Sequence, residues 1–180
     1  MQPAPGKRNY VFLGWYKDPS LADPWESTDV MPAEAVTLYA KWGLINKSIQ
    51  GTFSYEMLHD GTISIAAYSG SSSMTNLTIP SEIDGYTVSA ISDYAFSDDK
   101  YLLKISIPDT VTRIGAYAFA DSAIREISGG SNVISLGEAC FAGAAGLLQA
   151  FLPSGVTEIP DFCFSACTSI TELALSSAIA

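Results

Sequence analysis

The chain has 180 residues, enough for one or two domains with a sizeable core. Hydrophobic residues make up 48% of it, yet no apolar run approaches the ~18 residues a membrane helix requires, which excludes both a disordered chain and membrane insertion within these residues. Nineteen acidic residues against nine basic ones leave a formal charge of −10, a field that repels phosphate backbones and anionic lipid, so nucleic acid is excluded as a partner.

The opening residues, Met1-Gln2-Pro3-Ala4-Pro5-Gly6, lack the basic start and apolar stretch of a signal peptide, and the chain reads as an excerpt of a longer protein. Residues 1–42 are dense in aromatics: Tyr10-Val11-Phe12-Leu13-Gly14-Trp15-Tyr16, then Asp18-Pro19 and Pro24-Trp25, then Val36-Thr37-Leu38-Tyr39-Ala40-Lys41-Trp42. This pattern predicts a strand, a Pro- and Asp-punctuated excursion, and a second strand. Here the segment resembles the second half of the Listeria/Bacteroides repeat, a small β-grasp-like module of bacterial surface proteins, with Asn9 where that family usually has Gly. Trp15, Trp25 and Trp42 are expected as core of so small a module rather than as sugar-stacking platforms.

Residues 43–73 read as a linker and a capping β-hairpin. Phe53, Tyr55 and Met57 alternate with polar residues, Asp60-Gly61 signals a turn, and Ile63, Ile65 and Ala67 alternate again. A solenoid needs a terminal unit over its first apolar face, and a hairpin placed just before an array suits that role. Ser69-Gly70-Ser71-Ser72-Ser73 then reads as an exposed loop.

From Met74 onward one pattern, Val-x-x-Ile-x-x-x-Ala/Cys-Phe, returns four times. It appears at Val88, Ile91, Ala95 and Phe96; at Val111, Ile114, Ala118 and Phe119; at Val133, Leu136, Cys140 and Phe141; and at Val156, Ile159, Cys163 and Phe164. Steps between the phenylalanines are 23, 22 and 23 residues, inside the ~20–29 band of leucine-rich repeats. Each Phe is followed by a second anchor (Leu102, Ile124, Leu147, Ile170) and a strand-like piece: Ile105-Ser106-Ile107-Pro108, Ile127-Ser128-Gly129-Gly130, Ala150-Phe151-Leu152-Pro153, Leu173-Ala174-Leu175-Ser176. A weaker copy opens the array at Met74–Pro80. Fixed offsets stack the anchors rung on rung, so the fold class is mainly β, a solenoid of about four to five repeats over residues 74–180. Ile105, Ile107, Ile114, Phe119, Phe141, Ile159 and Phe164 are expected in one continuous core. These repeats resemble the BspA-like leucine-rich repeat family, whose unit runs Leu-x-x-Ile-x-Ile-Pro, Val-x-x-Ile-Gly, Ala-Phe-x-x-Cys. The longer first unit, with Ser81-Glu82-Ile83-Asp84-Gly85-Tyr86, fits the opening repeat of that family, whereas Gly129-Gly130 in place of Ile-Pro predicts a locally loosened strand.

Cys140 and Cys163 hold the slot that Ala95 and Ala118 hold earlier, and Cys167 follows in the next turn. The leading reading makes all three small buried hydrophobes; a Cys140 to Cys163 bridge between adjacent rungs is the alternative. No metal is expected, because no Cys-x-x-Cys pair exists and His59, the only histidine, stands far from the cysteines in sequence. No cofactor or catalytic residue is assigned either: the repeats contain no histidine, no nucleophile elbow and no phosphate loop, and Asp98-Asp99 reads as a solvated turn rather than a calcium site.

Binding has better support. Alternate strand side chains point away from the core, giving one row of Asn76, Lys104, Glu126, Gln149 and Glu172 and another of Thr78, Ser106, Ser128, Phe151 and Ala174. Lys104, Ser106, Glu126, Ser128, Gln149, Phe151 and Glu172 form the candidate binding face, with Phe151 expected as an exposed aromatic anchor. A further stripe, Tyr94, Tyr117 and Phe162, is interrupted by Ala139 and reads as inter-repeat stacking. The two resemblances imply a non-catalytic surface or secreted bacterial protein that binds a protein or glycan, or a passive stalk displaying another domain. Ending inside a fifth repeat, at Leu173-Ala174-Leu175, the array is also expected to self-associate through its last rung.

Overall fold

The computed structural model describes residues 10–20, 22–25, 36–47, 52–70, 72–171 and 179. In chain order the strands are β1 (Tyr10–Tyr16), β2 (Tyr39–Lys47), β3 (Phe53–Met57), β4 (Ile63–Tyr68), β5 (Asn76–Thr78), β6 (Glu82–Ile83) and β7 (Tyr86–Ile91). They continue as β8 (Lys104–Ile107), β9 (Arg113–Ile114), β10 (Glu126–Gly129) and β11 (Ser135–Leu136). Among the described residues no helix is long and apolar enough to cross a membrane.

Two ladders run up the molecule. One sheet has the order β1-β2-β3-β4-β7-β9-β11, with β6 paired to β7, and the other the order β10-β8-β5. The second is the strand side foreseen from the repeat: Leu77, Ile105 and Ile127 lie in register, as do Asn76, Lys104 and Glu126. The first adds a ladder at the Val-x-x-Ile anchors, where Ile91 pairs with Ile114 and Ile114 with Leu136. Between them each Phe sits on the next at rung distance. Phe96–Phe119, Phe119–Phe141 and Phe141–Phe164 have ring centroids 5.1, 5.5 and 5.5 Å apart and are nearly coplanar in orientation. Full burial of one such side chain is worth ~1.5–3 kcal/mol, so this column supplies much of the array's cohesion.

Close stacking also explains Gly115. A Cβ there would stand 2.6 Å from the carbonyl carbon of Ser92 on the preceding rung, too near for any side chain. With only a hydrogen present, the Gly115 N–H reaches the Ile91 carbonyl at 2.8 Å.

The β3–β4 hairpin caps the array as expected, because β4 pairs in parallel with β7 and Ile63 and Ile65 are buried against it. A bulge in β4 opposite Ser54 and Tyr55, with Ala66 as the extra residue, shifts the alternation, so Ala67 faces solvent and Tyr68 instead packs between Phe53 and Phe96 at 5.6 and 5.7 Å. Ser64 is buried too, and its hydroxyl meets that of Ser92 at 2.6 Å, while Ser92 donates to Glu56 at 2.6 Å. The long first unit folds back as β6–β7 around Asp84-Gly85, both at positive φ, and Tyr55 donates from the cap to Asp84 at 2.8 Å.

The N-terminal segment is strand, excursion, strand: β1 pairs antiparallel with β2. β2 then runs on past residue 42 and pairs with β3, so the stretch read as a linker is partly sheet. Trp15 and Trp25 are half-buried, with the Lys17 ammonium 5.8 Å from the Trp25 ring, and the Trp42 side chain lies outside the described residues.

Several expectations change at the far end. Ile105, Ile107, Ile114, Phe119 and Phe141 are buried, but Ile159 and Phe164, on the last described rung, are only half-buried. Ala150–Pro153 forms no strand, and Phe151 is not an exposed anchor: it is 9% exposed and turned inward, edge-on to Phe141 at 6.2 Å. The Gly129-Gly130 pair supplies the physical reason. Both residues take positive φ and bring no side chain to the core, and the Phe151 ring fills the vacated space, with its Cζ 3.0 Å from where a Gly130 Cβ would stand. Burying the ring in that space is favourable, and the rung above β10 gives up its strand to do it. The strand piece at Leu173–Ser176 and the final rung lie outside the described residues.

Candidate functional site

On the strand side, parallel in-register pairing places like positions of successive repeats above one another. Lys104 and Glu126 are both exposed and face each other as an ion pair at 2.6 Å. Ser106 is half-buried beside them and Ser128 is exposed, its hydroxyl within 3.4 Å of the Ile105 carbonyl. Gln149 is exposed on the next rung, whereas Phe151 has left the face and Glu172 lies outside the described residues.

Past Glu126 the ladder opens. The Leu148 N–H still reaches the Arg125 carbonyl at 3.1 Å, but beyond it no described residue of 149–154 hydrogen-bonds to β10. Between the two segments is a cleft of about 730 Å³, walled by Glu126 and Ser128 on one side and Gln149 and Ser154 on the other, with Arg125 and Leu148 at its mouth. Leu148 is 55% exposed. It is the large apolar side chain exposed here, where Phe151 was expected to be. Its signal was available, since Arg125 and Leu148 each follow the second anchor of their repeat, one residue before the row of Glu126 and Gln149.

The other candidate features resolve as structure. Tyr94 and Tyr117 stack in parallel at 5.1 Å, and Tyr117 donates to Glu138 at 3.2 Å, a bond that holds the phenol above its ordinary range. The stripe is broken at Ala139, and Phe162 is exposed. Asp99 accepts the N–H groups of Tyr101 and Leu102 at 2.8 and 2.9 Å, closing a turn, and Asp98 pairs with Lys100 at 2.8 Å on the surface.

Residues 61–180 match the family model described as a BspA type leucine-rich repeat region of six copies. The chain belongs to that family. This BspA-type chain also matches, over residues 1–41, the Listeria-Bacteroides repeat domain. It is similar to Internalin H of Listeria monocytogenes, 35% identical over 85 residues, which cover 47% of this chain and 14% of that protein. Among solved structures it resembles the leucine-rich repeat protein of T. pallidum, with TM-score 0.69 and 24% identity over 75% of this chain and 63% of that one. It also resembles a leucine-rich cell surface protein of Faecalibacterium prausnitzii, with TM-score 0.55 and 27% identity over 70% of this chain and 39% of that one. The BspA-type chain therefore spans only part of the length of the relatives it matches.

Proposed function

We propose that this chain is the interaction region of a bacterial cell-surface or secreted protein, binding a partner on the strand side of its solenoid without catalysing a reaction. One observation carries the reading: an in-register exposed row, Asn76, Lys104 and Glu126, leads into the cleft beside Gln149 and Leu148. The BspA-type match and the similarity to a protein named as a cell surface protein support the setting. Of the two partner classes, protein and glycan, a protein surface fits better. Among the described residues the cleft presents hydroxyls, an amide, charges and an exposed leucine, and its one aromatic, Phe151, is buried and so withdrawn from stacking on a sugar.

The test is to probe arrays of extracellular-matrix proteins and of glycans with the purified chain, then with Lys104→Glu, Gln149→Ala and Leu148→Asp. Binding to a protein that these variants weaken at least about tenfold, with unchanged melting, supports the reading. Binding that all three leave intact places the interface elsewhere. The burial of Phe151 also favours a second reading, a passive stalk, because it takes the one aromatic off the face. A stalk predicts that no array component is retained.

A further inference from the structure

We propose that Cys140 and Cys163 are a modification site: the pair closes into a disulfide joining the third rung to the fourth when the chain folds in the presence of a small-molecule disulfide.

Both thiols are free in this structure and buried, and their sulfur atoms stand 3.2 Å apart. Backbone geometry places them there. The Phe141 N–H donates to the Cys163 carbonyl at 3.0 Å, so the two cysteines occupy one slot on stacked backbones, and a rung step near ~4.8 Å lies inside the Cα separation a disulfide tolerates. Closure brings the sulfurs from 3.2 Å to a bond length of ~2.05 Å. On the two earlier rungs the slot holds Ala95 and Ala118, so its only two sulfur-bearing members are neighbours. Cys167 differs. It is half-buried, lies outside the slot, and donates its S–H to the Phe141 carbonyl at 3.0 Å.

Closure balances as two exchanges. A thiolate of one cysteine attacks the small disulfide, forming a mixed disulfide and releasing one small thiol. The second protein thiolate attacks the protein sulfur of that mixed bond and releases the other, so the pair loses two electrons and the oxidant becomes two thiols. The mutual hydrogen bond and burial push the Cys140 thiol well up, and in the folded chain both sulfurs are buried out of reach of a small disulfide. Closure therefore belongs to the folding chain, before the fourth rung covers the slot. The position has a mechanical use: β10 has lost its hydrogen-bonded neighbour on the strand side at this step, and the bridge ties the same two rungs on the turn side.

The test refolds the whole chain from denaturant with oxidised plus reduced glutathione, or with reduced glutathione alone. Free thiols are counted under denaturing conditions, linked peptides are mapped by mass, and melting is followed. The expected result is a fall from three free thiols to one, a link between the peptides holding Cys140 and Cys163, and a higher melting temperature that reverts on reduction. Cys167→Ser should close as well as the parent. Cys140→Ala and Cys163→Ala, which place in the slot the residue found at Ala95 and Ala118, should fold and keep all their thiols. Three free thiols in oxidatively refolded chain, a link to Cys167 or to a second chain, or a bridged form that melts no higher than the reduced one would overturn the proposal.

Discussion

Phe119 lies at the centre of the aromatic column, fully buried, with Phe96 and Phe141 stacked on either side. Its truncation removes two ring contacts and leaves a cavity between rungs that the backbone ladders hold apart, so Phe119→Ala should cost ~3–5 kcal/mol in urea unfolding. A melting temperature within a degree or two of the parent would show that the register of the repeat is wrong. Tyr55 tests the cap in a different way. Burial, then its hydrogen bond to Asp84, pushes its phenol from 10.0 up to about 12. Folding favours the neutral phenol, so this stabilisation is complete below pH 10 and is lost as the pH climbs toward 12. Unfolding measured from pH 9 to 12 should show an alkaline loss on the order of 2 kcal/mol that Tyr55→Phe largely removes. Equal alkaline slopes in the two proteins would mean that burial and the bond to Asp84 do not hold the phenol protonated.

Among the elements, the rung above β10 is where the repeat gives way. Gly129 and Gly130 leave the core short of side-chain volume, and Phe151 makes it good at the expense of a strand. Phe151→Ala should then cost about 3 kcal/mol, as expected of a core ring. A surface aromatic would cost within ~0.5 kcal/mol, so the single measurement decides between the buried ring and the exposed anchor of the simple alternation rule.

For the whole molecule, the hairpin cap and the solenoid share one sheet, and β4 covers the first rung by pairing with β7. Nearest-neighbour stacking is what stabilises such an array, so a chain lacking residues 1–70 exposes Val88, Ile91 and Phe96 and loses β4 as partner to β7. Its melting temperature should fall by about 10 °C or more, or its cooperative transition should vanish. A truncated array that melts with the full chain would show that the rungs need no terminal unit.

The period of 22–23 residues, the layering of Ile105, Ile114 and Phe119, and the hairpin turn at Asp60-Gly61 were all legible in the sequence, because in a repeat each anchor meets its own equivalent and the contact is written twice in the chain. The row of Asn76, Lys104 and Glu126 followed from the same logic, since strand alternation needs only the local backbone. What the sequence could not decide were the places where a residue answers to a neighbour that is not its equivalent. Ala67 faces solvent because Ala66, an extra residue in its own strand, shifts the count against β3, and Tyr68 takes its place. Phe151 is buried because volume missing at Gly130, one rung away, is filled more favourably by a ring than by solvent. The cleft beside β10 lies where that exchange has opened the ladder, between β10 and the segment that carries Phe151. Periodicity is a local property and survives in one dimension; the filling of space is settled only when the rungs are stacked.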